Sequence, residues 1–421
     1  MNQLPLTDDT VIFGLLALCL GFVFYTSSLK TGFWKKFYSI VPTVLMCYLL
    51  PSVFTSTGLV DEESSNLYYV ASRYLLPAAL ILMTLSIDLK AIANLGSKAL
   101  IMFLTGTAGI IIGGPIAILI VSIFSPDTVG GADFDAVWRG LATIAGSWIG
   151  GGANQAAMLE VFKYNPENFG NMVLVDVVMA NVWMAVLLLG IGRSNKIDTW
   201  LKADNSSIEA LKQKVTEYTE RISRITTLKD LIMLLFFAFL GVSIAHFFGY
   251  HFSEFLKDNF EVIRNKEKAL SSLGSKFLWM VVVATLVGVG LSFTKAKNYE
   301  GAGASKIGGM FIYILVATIG MKMDLSKIFD NPGLLAVGFI WIAIHAGLLI
   351  LVAKIIKAPY FFLAVGSQAN VGGAASAPVV AAEFHPSLTS VGILLAVFGY
   401  VVGTAGAYIC ALLMEVASTI Q

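Results

Sequence analysis

Gly146-Ser147-Trp148-Ile149-Gly150-Gly151-Gly152-Ala153-Asn154-Gln155 and Gly366-Ser367-Gln368-Ala369-Asn370-Val371-Gly372-Gly373-Ala374-Ala375-Ser376-Ala377-Pro378 read as worn copies of one pattern. Each sets glycines in an apolar run, at Gly150, Gly151 and Gly152 in the first and at Gly372 and Gly373 in the second. Paired glycine-interrupted segments in corresponding halves of a membrane protein point to a transporter's binding site. The reason is physical: backbone unwound inside a bilayer carries N–H and C=O groups that protein, water or ligand must satisfy.

The surroundings fit a membrane. Of 421 residues, 57% are hydrophobic and 13% charged, against about 25% charged in soluble domains. Twelve apolar runs, near 11–27, 37–56, 69–87, 98–124, 137–160, 171–192, 228–249, 276–294, 308–321, 333–356, 359–384 and 388–414, approach or exceed the ~20 residues that cross a bilayer. The expected class is therefore an all-α polytopic membrane protein in contact with the lipid bilayer. A net charge of +1 and the lack of a basic, aromatic-rich patch give no indication of nucleic acid. Cys19, Cys47 and Cys410 lie in apolar runs and have no disulfide or metal spacing. Asp8 and Asp9 precede the first run where a cleaved leader has positive charge, so that helix is expected to stay.

The halves match beyond the glycines. Leu80–Lys90 resembles Ala317–Lys327, and in both an Asp-Leu turn is followed by a helix, the glycine-broken segment and a last helix. This predicts repeats over 11–192 and 228–414, joined by a cytoplasmic linker over 193–227. If all twelve runs cross, Lys and Arg split 13 to 15, with no bias. If each broken segment returns to the side it entered, 18 of 28 fall on one side, as the positive-inside rule expects. Each half then has an odd number of crossings and the second is inverted. A different miscounted segment at 251–272 gives the same parity and leaves the broken segments as crossing helices with unwound centres. In the linker, Ile208, Leu211, Val215, Tyr218, Ile222 and Ile225 form a heptad-like stripe, and Ser206 with Glu209 fits a capping box. Such a helix lies on the membrane or its own bundle, or contacts a second copy in a homodimer.

Asp176 is the costliest residue to insert, since it lies several positions inside the apolar stretch Asn171–Asn181. An ionisable group there costs about 2.5–3.5 kcal/mol and is a functional candidate by default; a carboxylate capping the helix start is the plainer reading. With Asn181, Ser147 and Ser367 it is the candidate ion-coupling set. Asn154, Gln155, Gln368, Asn370 and Ser376 flank the breaks and are the candidate substrate ligands, because neutral amides offer donors and acceptors without a buried charge. Amides can also simply join membrane helices. Glu160 and Glu383 read as solvated carboxylates or proton relays, and His345 as a satisfied core imidazole or a proton carrier. Asp88 and Asp324 read as caps of the helices that follow. Gly301-Ala302-Gly303-Ala304-Ser305-Lys306 lacks the ending and strand of a phosphate loop. No metal set or catalytic nucleophile stands out, so no enzyme is expected.

The two glycine motifs and the layout over 11–414 resemble the YjcL-like membrane proteins, the domain-of-unknown-function 819 family. That family is similar to the superfamily of cation–proton antiporters and anion transporters. The resemblance implies an elevator fold, with a core of 98–192 and 333–414 moving past a panel of 11–87 and 228–321. It implies a multi-pass protein of a bacterial inner membrane. Together the readings lead to an ion-coupled transporter, using Na+ or H+ and no other cofactor, for a small anionic or zwitterionic organic solute. A cation/proton antiporter or exporter, or a membrane sensor or channel of the same fold, are the alternatives.

Overall fold

The structure is a computed structural model that describes residues 6–38, 41, 43–61, 65–85, 92, 95–204, 225–264, 273–385 and 388–419. Asp88 and all of the linker stripe except Ile225 lie outside the described residues. The principal helices are α1 (Asp9–Ser27), α2 (Gly32–Tyr38), α3 (Thr43–Ser56), α4 (Leu67–Leu85), α5 (Ser97–Phe124), α6 (Val137–Phe162), α7 (Phe169–Ile191) and α8 (Ser194–Leu201). After the linker follow α9 (Leu228–Asn259), α10 (Lys276–Ser292), α11 (Ala304–Gly320), α12 (Leu334–Ile356), α13 (Tyr360–Val371), α14 (Gly373–Phe384) and α15 (Thr389–Thr419). Among the described residues, seven helices are long and apolar enough to cross a membrane, or up to nine if two bent pairs count as spans. The helix α11 is shorter.

Twelve crossings are therefore too many, and the two glycine-broken runs supply the reason. Gly146 and Asn154 stand eight residues apart, about 12 Å along a straight helix. Yet a Cβ on Gly146 would lie 2.6 Å from the Asn154 carbonyl oxygen. The helix α6 folds back on itself at Gly151, whose φ of 71° and ψ of −175° suit glycine alone. Its two ends meet. The Arg139 guanidinium donates to the Phe162 carbonyl at 2.5 Å, the Asn165 N–H donates to the Phe134 carbonyl at 2.9 Å, and the Trp138 and Phe162 rings stand 5.5 Å apart. The pair α13 and α14 does the same. Gly373 turns the chain at φ 56°, and Phe384 comes back to 5.3 Å from Phe361 and 5.8 Å from Tyr360.

Both broken segments are thus hairpins, and their bases lie at opposite ends of α5. The α6 base adjoins the loop that follows α5. The α13 base meets the start of α5, where Lys98 Nζ donates to the Lys357 carbonyl at 3.1 Å. A helix of 28 residues separates those ends by about 42 Å. Between them the hairpins meet tip to tip: a Cβ on Gly373 would lie 4.0 Å from the Gly151 Cα.

Helix contacts fall into two groups. The helices α1, α3, α4, α9, α10 and α11 pack on one another, while α5, α6, α7, α12, α13, α14 and α15 form the body that holds the hairpins. Missing side chains make the second body tight. Gly113 of α5 admits the Trp341 ring of α12, whose nearest atom would stand 2.6 Å from a Cβ. Trp341 Nε1 donates to the Ile110 carbonyl at 2.8 Å, so the indole is both packed and satisfied.

Candidate functional site

Asp176, 7% exposed on α7, is held by donors. Trp148 Nε1 donates to Oδ1 at 2.7 Å and Gln155 Nε2 donates to Oδ2 at 2.9 Å. The Ser147 side chain lies beside the same carboxylate. Ser147 and Trp148 lie on the first arm of the α6 hairpin and Gln155 on the second, so one carboxylate clamps both arms to α7. The Trp148 and Gln155 N–H groups can only donate, and the carboxylate supplies the acceptor oxygens they need. Gln155 also reaches the other body, because the Tyr48 hydroxyl of α3 donates to its Oε1 at 3.3 Å. Asp176 is thus no helix-end cap.

Asn154 and Asn370, both fully buried, use their amides to fix the hairpins. Asn154 Nδ2 donates to the Gly150 carbonyl at 2.8 Å, and its Oδ1 accepts from Thr404 of α15 at 2.6 Å. Asn370 Nδ2 donates to the carbonyls of Phe103 and Gly366 at 2.9 and 3.0 Å, and its Oδ1 accepts from Thr107 of α5 at 2.7 Å. Each asparagine ties its own arm to a neighbouring helix. Thr404→Val is expected to destabilise by about 1–3 kcal/mol, because a buried acceptor loses its donor. Thermal melting of the purified protein measures it, and an unchanged melting point contradicts the strut role.

At the tips the polar atoms are not all used. Gln368 is 1% exposed, and its Nε2 donates to Ser376 Oγ at 2.7 Å while its Oε1 has no hydrogen-bond partner among the described residues. Both side chains crowd Gly372, where a Cβ would stand 1.7 Å from Ser376 Oγ. The helix α14 starts there without a side-chain cap. The Tyr400 ring edges the other tip, 3.3 Å from where a Gly151 Cβ would be. Ser147, Gly151, Gly152, Gly372 and Ser376 are half-buried and Ala374 is exposed. The tips therefore border open space at the level where the two bodies meet, with Ile312 of α11 facing Gly152.

Over residues 12–416 the sequence matches the family described as "Protein of unknown function (DUF819)". The chain belongs to that family. It is also 26% identical over 422 residues to a protein of Bacillus subtilis (strain 168) described as "Uncharacterized membrane protein YjcL", covering 96% of each chain. The apolar helices and this relative make the DUF819 chain a multi-pass membrane protein.

Two expected ion-site members stand elsewhere in this DUF819 protein. Asn181 is exposed and donates to the Val177 carbonyl of its own helix at 2.7 Å. Five residues beyond Asp176 turn the helix by about 140°, to another face. Ser367 belongs to a second cluster, around His345. Trp183 Nε1 donates to Ser367 Oγ at 2.7 Å, and Ser367 Oγ lies 2.7 Å from His345 Nε2. His345 Nδ1 faces the Gly106 carbonyl at 2.9 Å and carries a hydrogen there. Both ring nitrogens therefore have partners.

The partners of these polar groups are faintly marked in the sequence. Trp148 lies inside the quoted motif, and a buried indole N–H that needs an acceptor was the available signal. Thr107, Thr404 and Tyr48 carry no such mark. Glu160 is also paired, with Arg73 Nη2 at 2.8 Å across the two bodies. Arg73 lies in the π-helical turn Ala71–Leu75 and packs 4.4 Å over Phe277, while its carbonyl accepts from His246 Nε2 at 2.8 Å. Asp324 caps the turn Leu325–Phe329, and the Ser326 donors hold its carboxyl below the usual range. Glu160→Gln is expected to loosen the bodies by about 1–2 kcal/mol and to speed deuterium uptake over 155–165. The charge-swapped pair Arg73→Glu with Glu160→Arg should slow it again. Uptake that is equal in all three proteins contradicts a joining role.

Proposed function

We propose that this chain is an ion-coupled secondary transporter of a small organic, anionic or zwitterionic solute. One observation supports it above others: two hairpins from opposite ends of α5 meet at their glycine tips, beside a buried amide oxygen with no partner among the described residues. The start of α14 offers N–H groups and the positive end of a helix dipole to a carboxylate. The solute sits at the tips against Gln368 and Ser376. Asn154 and Asn370 hold the tips in register, and Gln155 connects them to Asp176. The coupling ion, Na+ or H+, acts at Asp176, where it must displace or turn a donor to bind.

In this reading 98–192 and 333–414 form a core that slides as an elevator past a panel of 11–87 and 228–321, with the repeats inverted. The positive-inside rule sets the α13 base in the cytoplasm. Thermal stability across Na+ concentration, pH and a solute panel tests the proposal, since a ligand of the native state raises the melting point by mass action, about 2.7 kcal/mol at 100 times Kd. Stabilisation by Na+ or by acid in the wild type, absent in Asp176→Asn, together with a solute that acts only with the ion, is the expected result. A chain that no ion, pH or solute stabilises is not this transporter.

A further inference from the structure

Given the tip site proposed above, on which this step rests, we infer that its solute is a zwitterion carrying one carboxylate and one ammonium group, as in an amino acid. The unpaired atom of Gln368 is an acceptor and is almost wholly buried. It calls for a donor, and a carboxylate brings none. The N–H groups at the start of α14, within a turn of it, call for the opposite partner. A solute that satisfies both must present acceptor oxygens at one end and a hydrogen-bond donor, N–H or O–H, at the other.

Charge points the same way. Neither 140–162 nor 358–382 contains a lysine or arginine, and the spans 99–124, 169–191 and 388–419 contain none either. A dianion at the tips would find only backbone dipoles, with the Asp176 carboxylate close to the same hairpin. One carboxylate balanced by its own ammonium leaves no net charge to bury. The Tyr400 ring borders Gly151, 3.3 Å from where its Cβ would be. An aromatic face attracts a cation. Thr107, ten residues into α5 and bonded to Asn370, sets these groups about 15 Å below the α13 base, where a solute has lost bulk water.

The test is thermal stability of the full-length purified protein at fixed Na+ and pH, for wild type and Gln368→Leu. The probes are glycine, alanine, serine and γ-aminobutyrate, set against glycine betaine, acetate, propionate, lactate and succinate. At least one zwitterion should stabilise the wild type saturably, with the carboxylate of matching skeleton weaker by about tenfold or more. Gln368→Leu, measured against its own ligand-free melting point because it also loses the bond to Ser376, should lose that discrimination. Propionate or succinate acting as strongly as the zwitterions overturns this inference and leaves the tip site standing as an anion site. If neither set acts on a protein that Na+ or acid does stabilise, the tips are not a solute site and both readings fall.

Discussion

Asp176→Ala should be the most damaging single substitution in the second body. It leaves the N–H groups of Trp148 and Gln155 buried and unpaired, at about 1–3 kcal/mol for each orphaned donor. The carboxylate also joins the two arms of the α6 hairpin to α7, so its loss frees both arms at once. Asp176→Asn keeps one acceptor oxygen and the shape but turns an NH2 towards a donor. It should destabilise by less and still abolish the response to the coupling ion. Trp148 provides the readout, because its indole N–H lies 2.7 Å from Oδ1. Its fluorescence should change as the ion binds in the wild type and stay constant in Asp176→Asn. A wild-type melting point for Asp176→Ala contradicts the clamp, and an Asn variant that still responds to the ion moves the ion site elsewhere.

Two glycines two residues apart should behave oppositely. A Cβ at Gly150 would stand 2.2 Å from Asn154 Nδ2 and 2.7 Å from the Gly403 Cα. Backbone cannot give way as a flexible side chain does. Gly150→Ala is therefore expected to cost about 1–3 kcal/mol from overpacking, and about 1 kcal/mol more if Asn154 loses its bond to the Gly150 carbonyl. At Gly152 the nearest atom would be Ile312 Cγ2 at 3.6 Å, an ordinary contact. Gly152→Ala should change stability by less than about 0.5 kcal/mol. If both substitutions cost the same, the close approach of α6 and α15 is not what Gly150 serves.

The contrast between these glycines also marks where sequence reading stops. The motif located both breaks. A kinked crossing helix and a hairpin share the same local composition, however, and the difference lies in whether Gly146 touches Asn154. Charge counting favoured the hairpin, yet another miscounted run gave the same parity. Asp176 was legible because a carboxylate in an apolar helix is expensive wherever it points. Its partners were not, since Trp148 is 28 residues away in the chain. The helical turn alone sets Asn181 and Asp176 on different faces, and that spacing is legible in the sequence. Asn154 and Asn370 looked like ligands because amides beside glycine breaks suit a solute, and only packing reveals that Thr404 and Thr107 already occupy them.

The central claim is that the two hairpins enter from opposite faces and meet inside the membrane. Cysteines placed at both flanks of each hairpin test it most directly, labelled in intact cells by a maleimide that cannot cross the bilayer. The native Cys19, Cys47 and Cys410 are all buried and give little background. Phe134→Cys and Lys163→Cys should both label from outside. Lys357→Cys and His385→Cys should both label only after the membrane is opened. If Phe134→Cys and Lys163→Cys label from opposite sides, α6 crosses the bilayer and the tip-to-tip site does not exist.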